Sequence, residues 1–207
     1  ELENITLKIN QENLYNLELQ RKNKLEGLST EVAKFSRASL NYNQKDFKIK
    51  LRVKGDRVLH WYDKNQTSYK IDLRGKDRIW GLEEFSVQKP ITRNYIYEYI
   101  FHKLIERNNL IALKYFFINL SLNDNWQGIY AVEEGFSKEL IERNKKRNGP
   151  IFGVEETKSS NYPKIEYDLY SKNFWQTNYP ELIKSVYIKL ENIKNENQKI
   201  DQIFDLE

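Results

Sequence analysis

Apolar and polar positions alternate most cleanly in "FKIKLRV", where Phe47, Ile49, Leu51 and Val53 share one face and Lys48, Lys50 and Arg52 the other. A period of two predicts a half-buried strand with a basic outer face, within an alternating region that runs from Glu31 to Val53. "SYKIDL" repeats the pattern with Tyr69, Ile71 and Leu73 opposite Lys70 and Asp72. "RGKDRIWG" supplies a glycine-flanked turn and "EEFSVQKP" a short strand ended by Pro90. Farther on, "LKYFFINLSLNDNWQGIYAVEE" predicts a strand pair around Asn123, Asp124 and Asn125.

Helical spacing appears in three longer segments. Residues 10 to 27 carry Asn10 as an N-cap, Leu14, Leu17 and Leu25 at near-helical intervals, and Gly27 as a stop. Thr92 is placed to cap "RNYIYEYIFHKLIERNN", whose Ile96, Ile100 and Leu104, flanked by Tyr97, Phe101 and Ile105, make a wide apolar stripe. "YPELIKSVYIKLENIKN" starts at Pro180 and aligns Leu182, Val186, Leu190 and Ile193. A shorter helix runs from Ser137 to a stop at Gly149 and Pro150, and residues 155 to 178 show no period and read as irregular. The order predicts an α+β fold, an antiparallel sheet with a central helix, followed by helices.

Between the two alternating strands lies "KGDRVLHWYDKNQT", too long and too charged for a plain hairpin turn. Lys54, Asp56 and Arg57 read equally as a solvated tip, but Trp61 and Tyr62 argue that part of the loop folds back, since large aromatics usually bury most of their area. A strand, a charged loop holding Gly55, a strand with the outward Lys70 and a helix with the acid Glu98 form an order suited to gripping nucleotide phosphates. Loop N–H groups and the lysine bind the anion while the carboxylate positions the lysine. Glu98 has an alternative on the solvated side of its helix. Arg52 and Lys54, two apart on one strand face, read as an anion site or as edge protection. Arg93 and Asn94 fall in the first turn of the central helix, where a guanidinium needs an acidic or phosphate partner. Glu133 and Glu134 end the last hairpin, either as a hinge or as plain surface.

Composition narrows the chemistry. The 207 residues are 39% hydrophobic, 14% aromatic and 31% charged, enough for a packed core. A net charge of +4 spread among many acids is too weak to argue for nucleic acid on charge alone. Absent cysteine removes disulfides and thiolate sites, and two histidines, His60 and His102, exclude a histidine-rich metal site. His102 falls in an apolar helix pattern and reads as structural. No apolar run reaches the ~18 residues of a membrane helix. The chain opens without Met and closes on "QIFDLE", as an excised piece of a longer protein would. Its compartment is open among cell surface, coat and cytoplasm.

Taken together, "LRVKGD" at 51 to 56, "SYKIDL" at 68 to 73, "GLEEFSVQKPITRNYIYEYIFHKL" at 81 to 104 and "FFINLSLNDNWQGIYAVEEGFSKELIERN" at 116 to 144 resemble the CotH-type kinases, a family of atypical protein kinases named for a spore coat protein. The resemblance covers about Phe47 to Phe152. It implies a protein-kinase-like N-terminal lobe at 46 to 134, preceded by a helix and leading strand at 1 to 45 and followed at 135 to 207 by the start of an incomplete second lobe. It also implies ATP with Mg or Mn, and a protein substrate or a coat or cell-surface partner. On that likeness Lys70 contacts the phosphates, Glu98 partners it, Gly55 and Lys54 line the loop, and Arg52, Arg93 and Glu134 complete the nucleotide-binding set. No catalytic Asp or metal acid follows Glu134 in the family's pattern, since Asp168 in "EYDLYSKNFW" stands in the wrong context. The chain alone therefore lacks the carboxylates that phosphoryl transfer needs. Two other readings stand beside this one. One is a non-catalytic binding module using "NFWQTNYP" at 173 to 180, and the other a nucleic-acid binder using "KIKLRVK" with Trp61 and Tyr62.

Overall fold

The computed structural model describes residues 1–27, 34–55, 57–157 and 164–195 and divides the chain into two units, 1–146 and 147–207. In the first unit, seven strands close into a barrel: β1 (Glu3–Lys8), β2 (Ser36–Tyr42), β3 (Lys45–Val53), β4 (Tyr69–Leu73), β5 (Glu84–Gln88), β6 (Tyr115–Leu122) and β7 (Asn125–Glu134). The order around it is β1-β2-β3-β4-β5-β7-β6, antiparallel throughout except where β1 runs parallel to β6 and completes the ring.

That closure corrects the expected fold. An open kinase-like sheet with a central helix is not what this chain forms. The expectation failed at "ENITLK", a strand whose Ile5 and Leu7 point into the core and whose pairing with β6 removes the free sheet edge. The helix expected at the centre, α2 (Tyr97–Arg107), is peripheral: Ile96, Ile100 and Leu104 are 55%, 43% and 52% exposed. The barrel fills itself with Leu40, Ile49, Leu51, Val53, Ile71, Phe85, Val87, Ile118, Leu120 and Val132, so no interior place remains for a helix.

Each mouth is plugged by its own device. Helix α1 (Gln11–Leu25) begins on Asn10, whose side chain accepts the Asn13 N–H at 2.8 Å, and sends Leu14 and Leu17 against one end of the core. Between its strands the β6–β7 turn holds Asn123 and Asp124 at positive φ, as a tight hairpin requires. Asn123 then pairs its carboxamide with Ile9 N–H and C=O at 2.8 and 2.9 Å, imitating a strand where β1 leaves the sheet. At the other mouth Ile79 and Leu82 are buried, and the Trp80 ring packs on Tyr42, Phe85 and Phe116 with centroids 5.2, 5.5 and 4.9 Å away.

Helix α2 starts later than Thr92 predicts. Residues 90 to 93 form a 3₁₀ turn in which the Thr92 hydroxyl donates to Lys89 C=O at 2.7 Å, and Asn94 and Tyr95 then adopt positive φ. Arg93 is thus outside the first turn of α2. The helix from Ser137, α3 (Lys138–Arg143), also stops short of Gly149.

In the second unit, β8 (Phe152–Thr157) and β9 (Lys164–Leu169) pair antiparallel, followed by α4 (Lys172–Asn178) and α5 (Pro180–Lys194). The segment expected to be irregular therefore contains a hairpin and a helix. Leu169, Trp175 and Ile183 form its small core with Phe152 and Tyr187 against them, while Leu182 is exposed. "QIFDLE" and Asp56 lie outside the described residues.

Candidate functional site

Because side chains alternate across a strand, every inward core residue of β3 to β7 leaves an outward neighbour, and strand register brings these into rows. One row reads Arg52, Lys70, Ser86, Glu133 and Tyr115 across β3, β4, β5, β7 and β6. Beside it lie Lys54, whose N–H donates to Ser68 C=O at 2.9 Å, and Gln88. On the opposite side lie Lys50, Asp72 and Glu84.

Glu133 is the hub. Its carboxylate lies 3.2 Å from Lys54 Nζ and 3.7 Å from Arg93 Nη2, and it accepts a short hydrogen bond from the Gln88 amide. Lys54 Nζ also donates to Gln88 Oε1 at 2.9 Å. Burial pushes the Lys54 ammonium below its ordinary value, with Glu133 opposing and the nearby Arg93 and Lys70 charges adding to the fall. Burial pushes Glu133 upward, but Lys54 and Arg93 outweigh it and hold the carboxyl below the usual range. Tyr115, beside this group, is pushed up to about 12, first by burial and then by the Glu133 charge.

The ion pairs leave a positive surplus. Lys70 meets Glu84 at 2.9 Å and Lys50 meets Asp72 at 3.1 Å, so among the described residues five cations, with Arg52, Lys54 and Arg93, face three carboxylates. Arg52 and Lys70 are directly opposed across β3 and β4, an arrangement of like charges that costs stability unless an anion intervenes. Among the described residues, the Nε–H groups of both Arg52 and Arg93 are buried without a hydrogen-bond partner. Unpaired charged donors of this kind are expensive in a folded protein.

The structure thus brings Arg52, Lys54, Lys70 and Arg93 to one outer face and sends the other predicted residues elsewhere. Gly55 has φ +87°, and a Cβ there would come within 2.2 Å of the His60 ring, so only glycine fits. Its carbonyl accepts from Lys24 Nζ at 2.8 Å and Trp61 Nε1 at 3.3 Å. Arg21 Nη1 likewise donates to Trp61 C=O at 3.2 Å. What the long loop holds is helix α1. Glu98 does not meet Lys70; its Oε1 lies 3.4 Å from His102 Nε2, one helical turn on. Glu134 is buried and accepts from the Lys114 N–H at 2.7 Å and the Arg143 guanidinium, binding the end of β7 to α3. Sequence reasoning left Glu133 between hinge and plain surface and gave Gln88, Ser86 and Glu84 no role. The available signal was that Phe85 and Val87 point inward, which turns all three outward beside Lys70.

No protein-family model matches the chain, and no curated protein matches it significantly. Among the described residues no helix is long and apolar enough to cross a membrane, and no three His, Asp or Glu side chains are grouped to hold a metal ion.

Proposed function

We propose that this chain grips polyphosphate on the outer face of its barrel and is the nucleotide-binding part of a CotH-type phosphotransferase, acting on a protein in a longer polypeptide. One observation carries the reading: among the described residues, Arg52 and Arg93 each keep a buried Nε–H without a partner on a face where cations outnumber carboxylates. Phosphate oxygens would satisfy both donors and separate the opposed Arg52 and Lys70 charges. Glu133 holds Lys54 and Arg93 in place, and Glu84 stands beside Lys70 where Glu98 was expected.

The residues fit the phosphates of ATP but not a divalent ion of their own, since the acids here are each engaged by a lysine or arginine. Phosphoryl transfer therefore belongs to the longer protein. The test is calorimetric titration with tripolyphosphate and ATP of the chain and of an Arg52→Lys, Arg93→Lys double variant. That variant keeps the charge and loses both Nε–H donors. The reading predicts at least ~10-fold weaker binding in the variant, because a hydrogen bond to a charged group is worth about 1.5–3 kcal/mol. Equal affinities would refute it.

A second reading, a non-catalytic module for a coat or cell-surface partner, is favoured by the exposed apolar stripe of α2. On that reading tripolyphosphate does not bind at all.

A further inference from the structure

Helix α1 plugs its mouth of the barrel without filling it. A cleft of about 450 Å³ remains between the helix, the 64–67 segment and the β6–β7 hairpin, with Leu14, Leu17 and Leu122 as its apolar wall. Its size falls in the range of small-molecule sites, and a barrel mouth is one of the places where such sites form. The cleft shares no lining residue with the basic row.

Its shape is fixed by bonds that a ligand does not have to make. On the hairpin side Asn123 clasps Ile9 through both ends of its carboxamide. On the helix side the Arg21 guanidinium grips Glu18 Oε2 and Oε1 at 2.9 and 2.8 Å while also donating to Trp61 C=O. Arg21 is 8% exposed, so this pair is anchored in the fold. The hydrogen bonds from Arg21 hold the Glu18 carboxyl below its ordinary range, which keeps it an acceptor at neutral pH.

The rest of the polar lining is chiefly carboxamide. Asn125 and Gln127 donate their amide nitrogens to the Asn123 and Asn125 C=O at 3.3 and 3.0 Å, which leaves their side-chain oxygens as acceptors. Gln11 and Asn65 each bring a donor and an acceptor. Glu18 and Arg21 cancel each other's charge, and among the described lining residues Lys64, exposed to solvent, is the one charge left over. Tyr15 lines the cleft as well and is 66% exposed, an open ring face beside the amides.

Donors and acceptors interspersed with little net charge, next to an apolar wall and a bare aromatic ring, suit a sugar. Its hydroxyls both donate and accept, and the C–H face of its ring is apolar. We infer that this cleft binds a neutral saccharide of about disaccharide size, with a ring face on Tyr15 and hydroxyls on Glu18, Gln11, Asn65 and Gln127. The inference is independent of the phosphate reading, since the two sites use different residues.

The experiment follows the backbone amide NMR signals of the chain during titration with cellobiose, maltose and N,N′-diacetylchitobiose, and repeats it on Tyr15→Ala and Gln127→Ala. Neither side chain belongs to the barrel core, and thermal melts close to the parent's check that each variant folds. The expected result is saturable binding of at least one of these sugars, with shifts centred on residues 11–18, 64–67 and 122–127. Each variant should bind at least ~5-fold more weakly, as the loss of a single contact predicts. If a variant does not fold, the position of the shifts in the parent decides. No saturable shift with any of these sugars, shifts centred on other segments, or unchanged affinity in both folded variants overturns the assignment. Deacetylated chitobiose, which is cationic, is the control on charge. If it binds more tightly than the acetylated sugar, the neutral-saccharide assignment is overturned as well.

Discussion

The same strands build two regions with opposite logic. Inside the barrel Leu51, Ile71, Phe85 and Val132 are fully buried and exchangeable in principle for other apolar groups of similar volume. Outside, Arg52, Lys70, Ser86 and Glu133 occupy alternate positions on the same four strands, where each side chain has a specific partner or lacks one. The inner face is stabilised by area removed from water, and the outer face by matching charges that burial makes costly when unmatched. Among the described residues, only the second has unfilled donors.

Substitutions along the two faces should separate them by size of effect. Ile71→Ala opens a cavity in a fully buried layer and should cost about 3–4 kcal/mol in urea unfolding. A loss near 1 kcal/mol would mean that the barrel relaxes around the gap. Glu133→Gln removes the hub charge and strands Lys54 and Arg93, at a cost of about 2–3 kcal/mol.

Glu133 also gives the comparison a pH signature. Its folded carboxyl titrates below the ordinary 4.5. Its contribution is present above the unfolded value and is lost as pH falls through the lower folded value. Melting temperature should therefore drop more steeply below pH 4.5 in the parent than in Glu133→Gln. Parallel acid limbs would contradict the hub role.

Lys70→Met should be smaller still, within about 1 kcal/mol, because its pair with Glu84 is partly exposed and the substitution also removes repulsion from Arg52. Smallest is Ile100→Lys on α2, expected within about 0.5 kcal/mol, since that side chain already faces solvent. A large loss there would place the α2 stripe among the packed surfaces.

The inner face was legible from sequence because alternation is a local property. Phe47, Ile49, Leu51 and Val53 announce their direction without knowledge of any partner, and so do Tyr69, Ile71 and Leu73. Asn10 and the Asn123–Asp124 turn were equally readable from local chemistry. Barrel closure was not, because it depends on β1 finding β6 more than a hundred residues away in parallel register. The apolar stripe of α2 misled for a related reason: amphipathic spacing says that a face is apolar, not that it is covered. The site was half legible. Lys54, Lys70, Arg52 and Arg93 stood out as cations, but their hub depends on the β5–β7 register, which sets Glu133 beside Ser86 and leaves Glu98 to His102.

The most direct test of the phosphate face is side-chain NMR of the arginine Nε–H groups during titration with ATP, with resonances assigned through Arg52→Lys and Arg93→Lys. The account predicts that the Arg52 and Arg93 signals move together and saturate with one affinity, as both buried donors gain an acceptor. Signals at both positions that stay fixed while ATP is in excess would contradict it.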